Sequence, residues 1–219
     1  MIIKVCGMKE AENIRQLAGL EVDYMGFIFY SGSKRFAGSL DKDALRSLPG
    51  SIKKTGVFVN EDIDIVLDKV ISYQLDAVQL HGNESPEYCE TLQKLFDRVK
   101  AERRVELIKA FGIFPGFNFA DIQAYADKVA YFLFDTKTTD HGGSGMAFDW
   151  GVLKEYTSPT PYFLSGGLSP ENISSISSIT DERLYGVDLN SKFEIEPGIK
   201  DIGKLKLAFQ LIKGQKIPQ

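Results

Sequence analysis

The sequence predicts an α/β protein, a single (β/α)8 (TIM) barrel over residues 1–219. Eight short apolar runs, rich in Val, Ile, Phe and Tyr, recur along the chain. Their centres lie about 26 residues apart, the length of one strand-plus-helix unit. No Pro/Gly/Ser-rich linker interrupts the series. An open doubly wound sheet also alternates strand and helix. Eight units without a linker favour a closed barrel, whose usual size is about 250 residues.

The runs are Ile2–Cys6, Tyr24–Phe29, Thr55–Val59, Ala77–Leu80, Leu107–Phe111, Tyr131–Phe134, Tyr162–Leu164 and Leu184–Leu189. Several are apolar at nearly every position, as strands covered on both faces should be. Between them, Ile63, Val66, Leu67, Val70 and Ile71 follow helical spacing in 61–73. Tyr88, Leu92, Leu95, Phe96 and Val99 do so in 85–99, with Cys89 as packing. Ser169-Pro170-Glu171 reads as a cap followed by proline at the first helical position. Ile202, Leu205, Ala208, Phe209 and Ile212 make a last apolar face. Segments 41–48 and 118–127 are further helices, and Trp150 after Asp149 anchors another helix start.

Composition excludes whole classes. Hydrophobic residues at 43% and charged residues at 26% exclude a disordered or collagen-like chain. A net charge of −4 argues against nucleic acid as a partner. Two cysteines are too few for a disulfide framework, and the two histidines do not join them at metal-ligand spacing. No apolar run reaches the roughly 18 residues of a membrane span. A cytoplasmic monomer without metal or organic cofactor is the expectation.

In such a barrel, chemistry gathers where the strands end. Cys6-Gly7 closes the first run, and alternation puts Lys4 on the same face as Cys6, one layer deeper. A nearby ammonium favours the thiolate; Cys6 also suits a small buried hydrophobe. Asp135 follows four bulky apolar residues, where desolvation would raise its pKa as a general acid needs. It equally suits a turn cap. Arg35 could fork onto a carboxylate or lie solvated. Gln79 and His81 share a face and would bind a ligand or each other. Gly166, Gly167, Asp188, Asn190 and Ser191 sit after the last two runs, where barrels often hold phosphate through backbone N–H groups. Gly142-Gly143-Ser144-Gly145 reads as a lid or a plain loop, and His141 has no evident partner.

Several segments, in order over nearly the whole chain, resemble the phosphoribosylanthranilate isomerase family, a barrel enzyme of tryptophan biosynthesis. They are Lys4-Val5-Cys6-Gly7, Gly26–Tyr30, Ser33-Lys34-Arg35, Gly56–Asn60 and Val78-Gln79-Leu80-His81-Gly82. Further on come Phe134-Asp135-Thr136-Lys137, Gly142–Gly145 with Phe148-Asp149-Trp150, and Leu164–Leu168 with Pro170-Glu171-Asn172. Gly186-Val187-Asp188, Pro197-Gly198 and Lys200-Asp201 complete the set. The resemblance implies an Amadori rearrangement of N-(5-phosphoribosyl)anthranilate, with Cys6 as general base and Asp135 as general acid. It implies Arg35 on the anthranilate carboxylate, and phosphate on Gly166, Gly167, Asn190 and Ser191. Where the family commonly has Ser-Ser-Gly, this chain reads Asn190-Ser191-Lys192, so Lys192 becomes a candidate phosphate contact.

Three rival readings remain. A related aminoaldose isomerase of histidine biosynthesis would be expected to use paired aspartates, where this chain has Cys6. A Schiff-base aldolase would need a lysine in the mouth, for which Lys109 is the candidate. A catalytically silent phosphate-binding barrel is the third.

Overall fold

In a computed structural model, describing residues 1–38, 40–99, 104–136 and 149–214, eight parallel strands close into a barrel. They are β1 (Ile2–Cys6), β2 (Tyr24–Ile28), β3 (Lys53–Phe58), β4 (Ala77–Leu80), β5 (Glu106–Ile113), β6 (Tyr131–Thr136), β7 (Tyr162–Leu164) and β8 (Leu184–Leu189). The ring closes between β1 and β8, with Lys4 opposite Asp188. β1, β4, β7 and β8 have the predicted bounds. β3 and β5 begin earlier, at Lys53 and Glu106, because these charges pair with each other at the barrel floor. Polar residues with a lumen partner are invisible to an apolar-run criterion. β6 runs on through Asp135, which therefore lies within the strand.

Five α-helices are described: α1 (Ala11–Ala18), α2 (Lys42–Arg46), α3 (Ile63–Tyr73), α4 (Pro86–Val99) and α5 (Ile202–Ile212). Carboxylates cap three of them. Asp41, Asp62 and Asp201 accept from Asp43, Asp64 and Lys204 backbone N–H groups, each satisfying an otherwise orphaned donor. The sequence reading did not include α1, a two-turn helix that buries Ile14 and Leu17. Ile71, assigned to the apolar face of α3, is 56% exposed. Segments 119–125, 150–155 and 173–178 are 3-10 turns. Asp149 caps the second, as Trp150 led us to expect. The third starts later than Ser169-Pro170 predicted. Asn172 accepts from Ser169 N–H and donates to the Gly167 carbonyl, turning the chain before a helix can form. A small hairpin, β9 (Glu194–Glu196) with β10 (Ile199–Lys200), follows β8.

Period-two alternation divides the core. On β1, Ile3 and Val5 face the helical layer, beside Phe27, Val78, Leu80, Phe132 and Phe134. Inside the barrel pack Tyr24, Ala77, Ile108, Ala110, Leu133 and Phe163. Each of the larger aliphatic and phenyl side chains among them contributes ~1.5–3 kcal/mol by leaving water. The amino-terminal end is plugged. Glu106 accepts from Tyr24 Oη at 2.8 Å and pairs with Lys53 at 2.6 Å, while Tyr131 stacks on Tyr185. A large cleft opens at the opposite, carboxyl end of the strands.

Candidate active site

The cleft has a volume of about 380 Å3. It brings together Cys6, Arg35, Gln79, His81, Asp135, Asp188 and Asn190 from five strands or the loops after them. Gly166, Gly167 and Ser191 lie outside its lining. Their segments adjoin it through Ser165 and Asn190. The Gly142–Gly145 loop and His141 lie outside the described residues.

Cys6 ends β1 with its side chain inward. A Cβ on neighbouring Gly26 would come 2.7 Å from the sulfur, so that glycine makes room for it. One layer deeper, Lys4 Nζ pairs with Asp188 Oδ1 at 2.9 Å, both side chains buried. Burial alone would discharge this ammonium, but Asp188 and Cys6 hold it above its ordinary value. The thiol differs from the sequence expectation. Burial pushes Cys6 up, and Lys4, already committed to Asp188, offsets only part of that. Cys6 is therefore a thiol at rest, not a standing thiolate.

Asp135 behaves as predicted from its apolar strand. Burial pushes its carboxyl up to about 6, against the opposing effect of a 2.8 Å hydrogen bond from Thr136 N–H. Gly166, at φ +76°, packs against it. A Cβ there would come 2.3 Å from Thr136 N and 2.7 Å from Asp135 Oδ1. This glycine is thus required by close approach to the acid. The N–H groups of Gly166 and Gly167 donate to no acceptor among the described residues.

Gln79 Nε2 and His81 Nδ1 bond each other at 2.9 Å, which leaves the buried Gln79 Oε1 without a partner among the described residues. An amide nitrogen only donates, so His81 Nδ1 accepts. Its imidazole is pushed down to about 4 by burial and then by the Lys109 and Lys4 ammoniums. The neutral ring's hydrogen consequently sits on Nε2, 3.5 Å from Asp135 Oδ2. Cys6 on β1 and Asp135 on β6 face each other across the mouth, with β7 and β8 between them on the shorter arc.

Arg35 lines the cleft but is not a free fork. Its Nε and Nη2 donate to Glu194, with contacts between 2.7 and 3.0 Å. Gly7, at φ +82°, leaves space for the arginine stem, since a Cβ would meet Arg35 Cδ at 2.7 Å. Lys192 is exposed. Lys109 is absent from the cleft. It points out of the lumen, pairs with buried Glu84 at 3.2 Å and donates to the Gly82 carbonyl at 2.8 Å. That placement removes the basis for the Schiff-base aldolase. The sequence reading missed Glu194 as a partner of Arg35, and Phe114 and Phe117 in the cleft wall. Among the described residues no three His, Cys, Asp or Glu side chains cluster as a metal site.

A parallel barrel whose mouth gathers the Asp135 carboxyl and the Cys6 thiol at the carboxyl ends of its strands has the architecture of a barrel enzyme. The family model for N-(5'phosphoribosyl)anthranilate (PRA) isomerase matches residues 3–211. A relative of that name from Parabacteroides distasonis is 50% identical, over 97% of this chain and 93% of its own length. The chain belongs to the N-(5'-phosphoribosyl)anthranilate isomerase family. The crystal structure of the Thermotoga maritima phosphoribosyl anthranilate isomerase is 33% identical, with a TM-score of 0.78 over 98% of this chain and 100% of that one. The Thermus thermophilus enzyme superposes with a TM-score of 0.80 at 27% identity, over 98% and 99% of the two chains. A further structure, 31% identical with a TM-score of 0.74, is an isomerase in complex with reduced 1-(o-carboxyphenylamino)-1-deoxyribulose 5-phosphate, over 98% and 100% of the two chains.

Proposed function

We propose that this chain, acting as one catalytic domain, isomerises N-(5-phosphoribosyl)anthranilate to 1-(2-carboxyphenylamino)-1-deoxyribulose 5-phosphate in tryptophan biosynthesis. The observation that carries the mechanism is the Asp135 carboxyl, raised to about 6 and facing the Cys6 thiol across the mouth. Asp135 protonates the ring oxygen. The bond from that oxygen to C1′ breaks, and the nitrogen lone pair forms an iminium. Cys6, as thiolate, takes the proton from C2′ and leaves an enolamine. The C2′ hydroxyl then loses its proton as C1′ gains one, which yields the ketone and balances the reaction without a redox step.

Binding divides between the two sides of the mouth. Arg35 takes the anthranilate carboxylate at the β2 end. The aryl ring lies toward the apolar wall of Ile28, Val57, Phe114 and Phe117. Phosphate goes to the β7 and β8 ends, where Gly166 and Gly167 have unclaimed N–H groups. Asn190 and Ser191 close that side, and Gln79, His81 and Asp188 line or support the space between. The relative crystallised with the reduced product analogue supports a phosphorylated ligand of this kind.

The test is loss of phosphoribosylanthranilate fluorescence, with the substrate made in situ from anthranilate and phosphoribosyl pyrophosphate by the preceding enzyme. Wild type converts it. Folded Cys6→Ala and Asp135→Asn each lose at least about a hundredfold. A folded variant near wild-type rate would remove that residue from the mechanism.

The seven large apolar side chains exposed among the described residues are scattered rather than gathered on one face, with Ile65 and Ile71 on α3, Ile195 on β9 and Leu207 on α5. We take the chain as a monomer on that ground. Its two cysteines are unpaired. They fit the reducing cytoplasm, where we place it. No described helix is long and apolar enough to cross a membrane.

A further inference from the structure

Glu194 lies outside the reacting centre but is the best-connected carboxylate beside it. Its side chain is 4% exposed. It accepts from Arg35 Nε and Nη2, from Lys200 Nζ at 2.7 Å and from Gly198 N–H at 3.0 Å. Lys200, fully buried, also donates to Asn190 Oδ1 at 2.7 Å. One ionic chain therefore joins Arg35, in the loop after β2, to Asn190, just after β8.

The geometry settles which part of Arg35 is left. A guanidinium has two forks, one at Nε and Nη2 and one at Nη1 and Nη2. Glu194 occupies the first with both oxygens. Nη1 has no hydrogen-bond partner among the described residues, so the end-on fork stays whole. The chain holds two cations, Arg35 and Lys200, against one carboxylate, Glu194. Such an excess in a part-buried site suits a second carboxylate.

We infer that Glu194 is a positioning residue for substrate recognition: it locks one fork of Arg35 and, through Lys200 and Asn190, turns the other fork toward the substrate carboxylate in register with the phosphate loop. This rests on Arg35 holding the anthranilate carboxylate. Without Glu194, Arg35 keeps its charge but loses its direction, and a bidentate grip depends on direction. The cost then falls on the carboxylate and not on the reaction common to all phosphoribosylamines.

The experiment compares two substrates: N-(5-phosphoribosyl)anthranilate, and N-(5-phosphoribosyl)aniline formed by condensing aniline with ribose 5-phosphate. The readout is the ratio of their kcat/KM values. In Glu194→Gln the ratio falls about tenfold, chiefly through KM for the carboxylated substrate, as loss of one charge-assisted hydrogen bond implies. Arg35→Met abolishes the preference. Should Glu194→Gln fail to fold, Glu194→Asp replaces it; withdrawing the carboxylate by one methylene lowers the ratio in the same direction. If the glutamate variants slow both substrates in step while Arg35→Met abolishes the preference, Glu194 is merely structural and the inference fails. If Arg35→Met leaves the ratio unchanged, the carboxylate assignment of Arg35 fails, and the role of Glu194 with it.

Discussion

Varying pH from 5 to 9 tests the proton inventory of the mouth. In the proposed mechanism the productive enzyme holds Asp135 as the acid and Cys6 as the thiolate. Asp135 titrates at about 6, while burial lifts Cys6 above its ordinary value, itself about 8.5. At pH 7 the main species is the reverse, Asp135 carboxylate with Cys6 thiol. Both species carry one proton, so their ratio does not change with pH between the two values. That ratio is small, because Asp135 sits at about 6 while burial lifts Cys6 above its ordinary value. Turnover should therefore rise through pH 6 and then stay level, although its acid is mostly ionised. At pH 5, with both groups protonated in most molecules, kcat/KM drops to about a tenth of the plateau. The substrate phosphate also ionises near pH 6. The ligand-free carboxyl is therefore titrated separately by 13C NMR, with Asp135→Asn identifying the resonance. Activity that declines as pH rises through 6 would refute the reasoning. It would place the Cys6 thiolate below Asp135 and mean that the Lys4 ammonium outweighs burial.

Further outcomes follow from buried charges and close approaches. Lys4→Met strands the Asp188 carboxylate in the barrel and should cost about 3–5 kcal/mol by urea denaturation, part of it recovered in Lys4→Met/Asp188→Asn. Glu84→Ala leaves Lys109 buried without its carboxylate and should destabilise by a similar ~3–5 kcal/mol, whereas a loss below ~1 kcal/mol would show that pair to be inconsequential. Gly166→Ala forces a Cβ toward Thr136 and Asp135. It should cost at least ~1 kcal/mol in stability and lower kcat, while unchanged kinetics would deny Gly166 its part in seating the acid. Light scattering on the purified chain should give the monomer mass of 24.4 kDa, and a doubled mass would contradict the monomer.

The barrel was legible because its strands are apolar on both faces, and that signal survives without any knowledge of neighbours. Cys6 and Asp135 were legible for a related reason: each closes such a run, so strand parity and position say where it points. The charge state of Cys6 was not. It depends on whether Lys4 is free, and Lys4 is engaged by Asp188, 184 residues away. Lys109 could have been read correctly by parity, since its neighbours Ile108 and Ala110 fill the lumen and it must face outward. Glu194 had no local signal at all. Its partner Arg35 is 159 positions away, and a hairpin closed at Gly198 brings Lys200 to the same carboxylate. Ser169-Pro170 misled because Asn172 competes locally for the turn, an outcome that cap statistics do not resolve.

The central claim is that one ligand spans this mouth with acid and base on opposite sides. A crystal structure with reduced 1-(o-carboxyphenylamino)-1-deoxyribulose 5-phosphate tests it most directly. The account predicts Asp135 and Cys6 flanking the C1′–C2′ region and within hydrogen-bond reach of it, the carboxylate on the end-on fork of Arg35, and phosphate at Gly166, Gly167, Asn190 and Ser191. A ligand bound with its phosphate at Arg35, or with Cys6 and Asp135 on the same side of the sugar carbons, would contradict it.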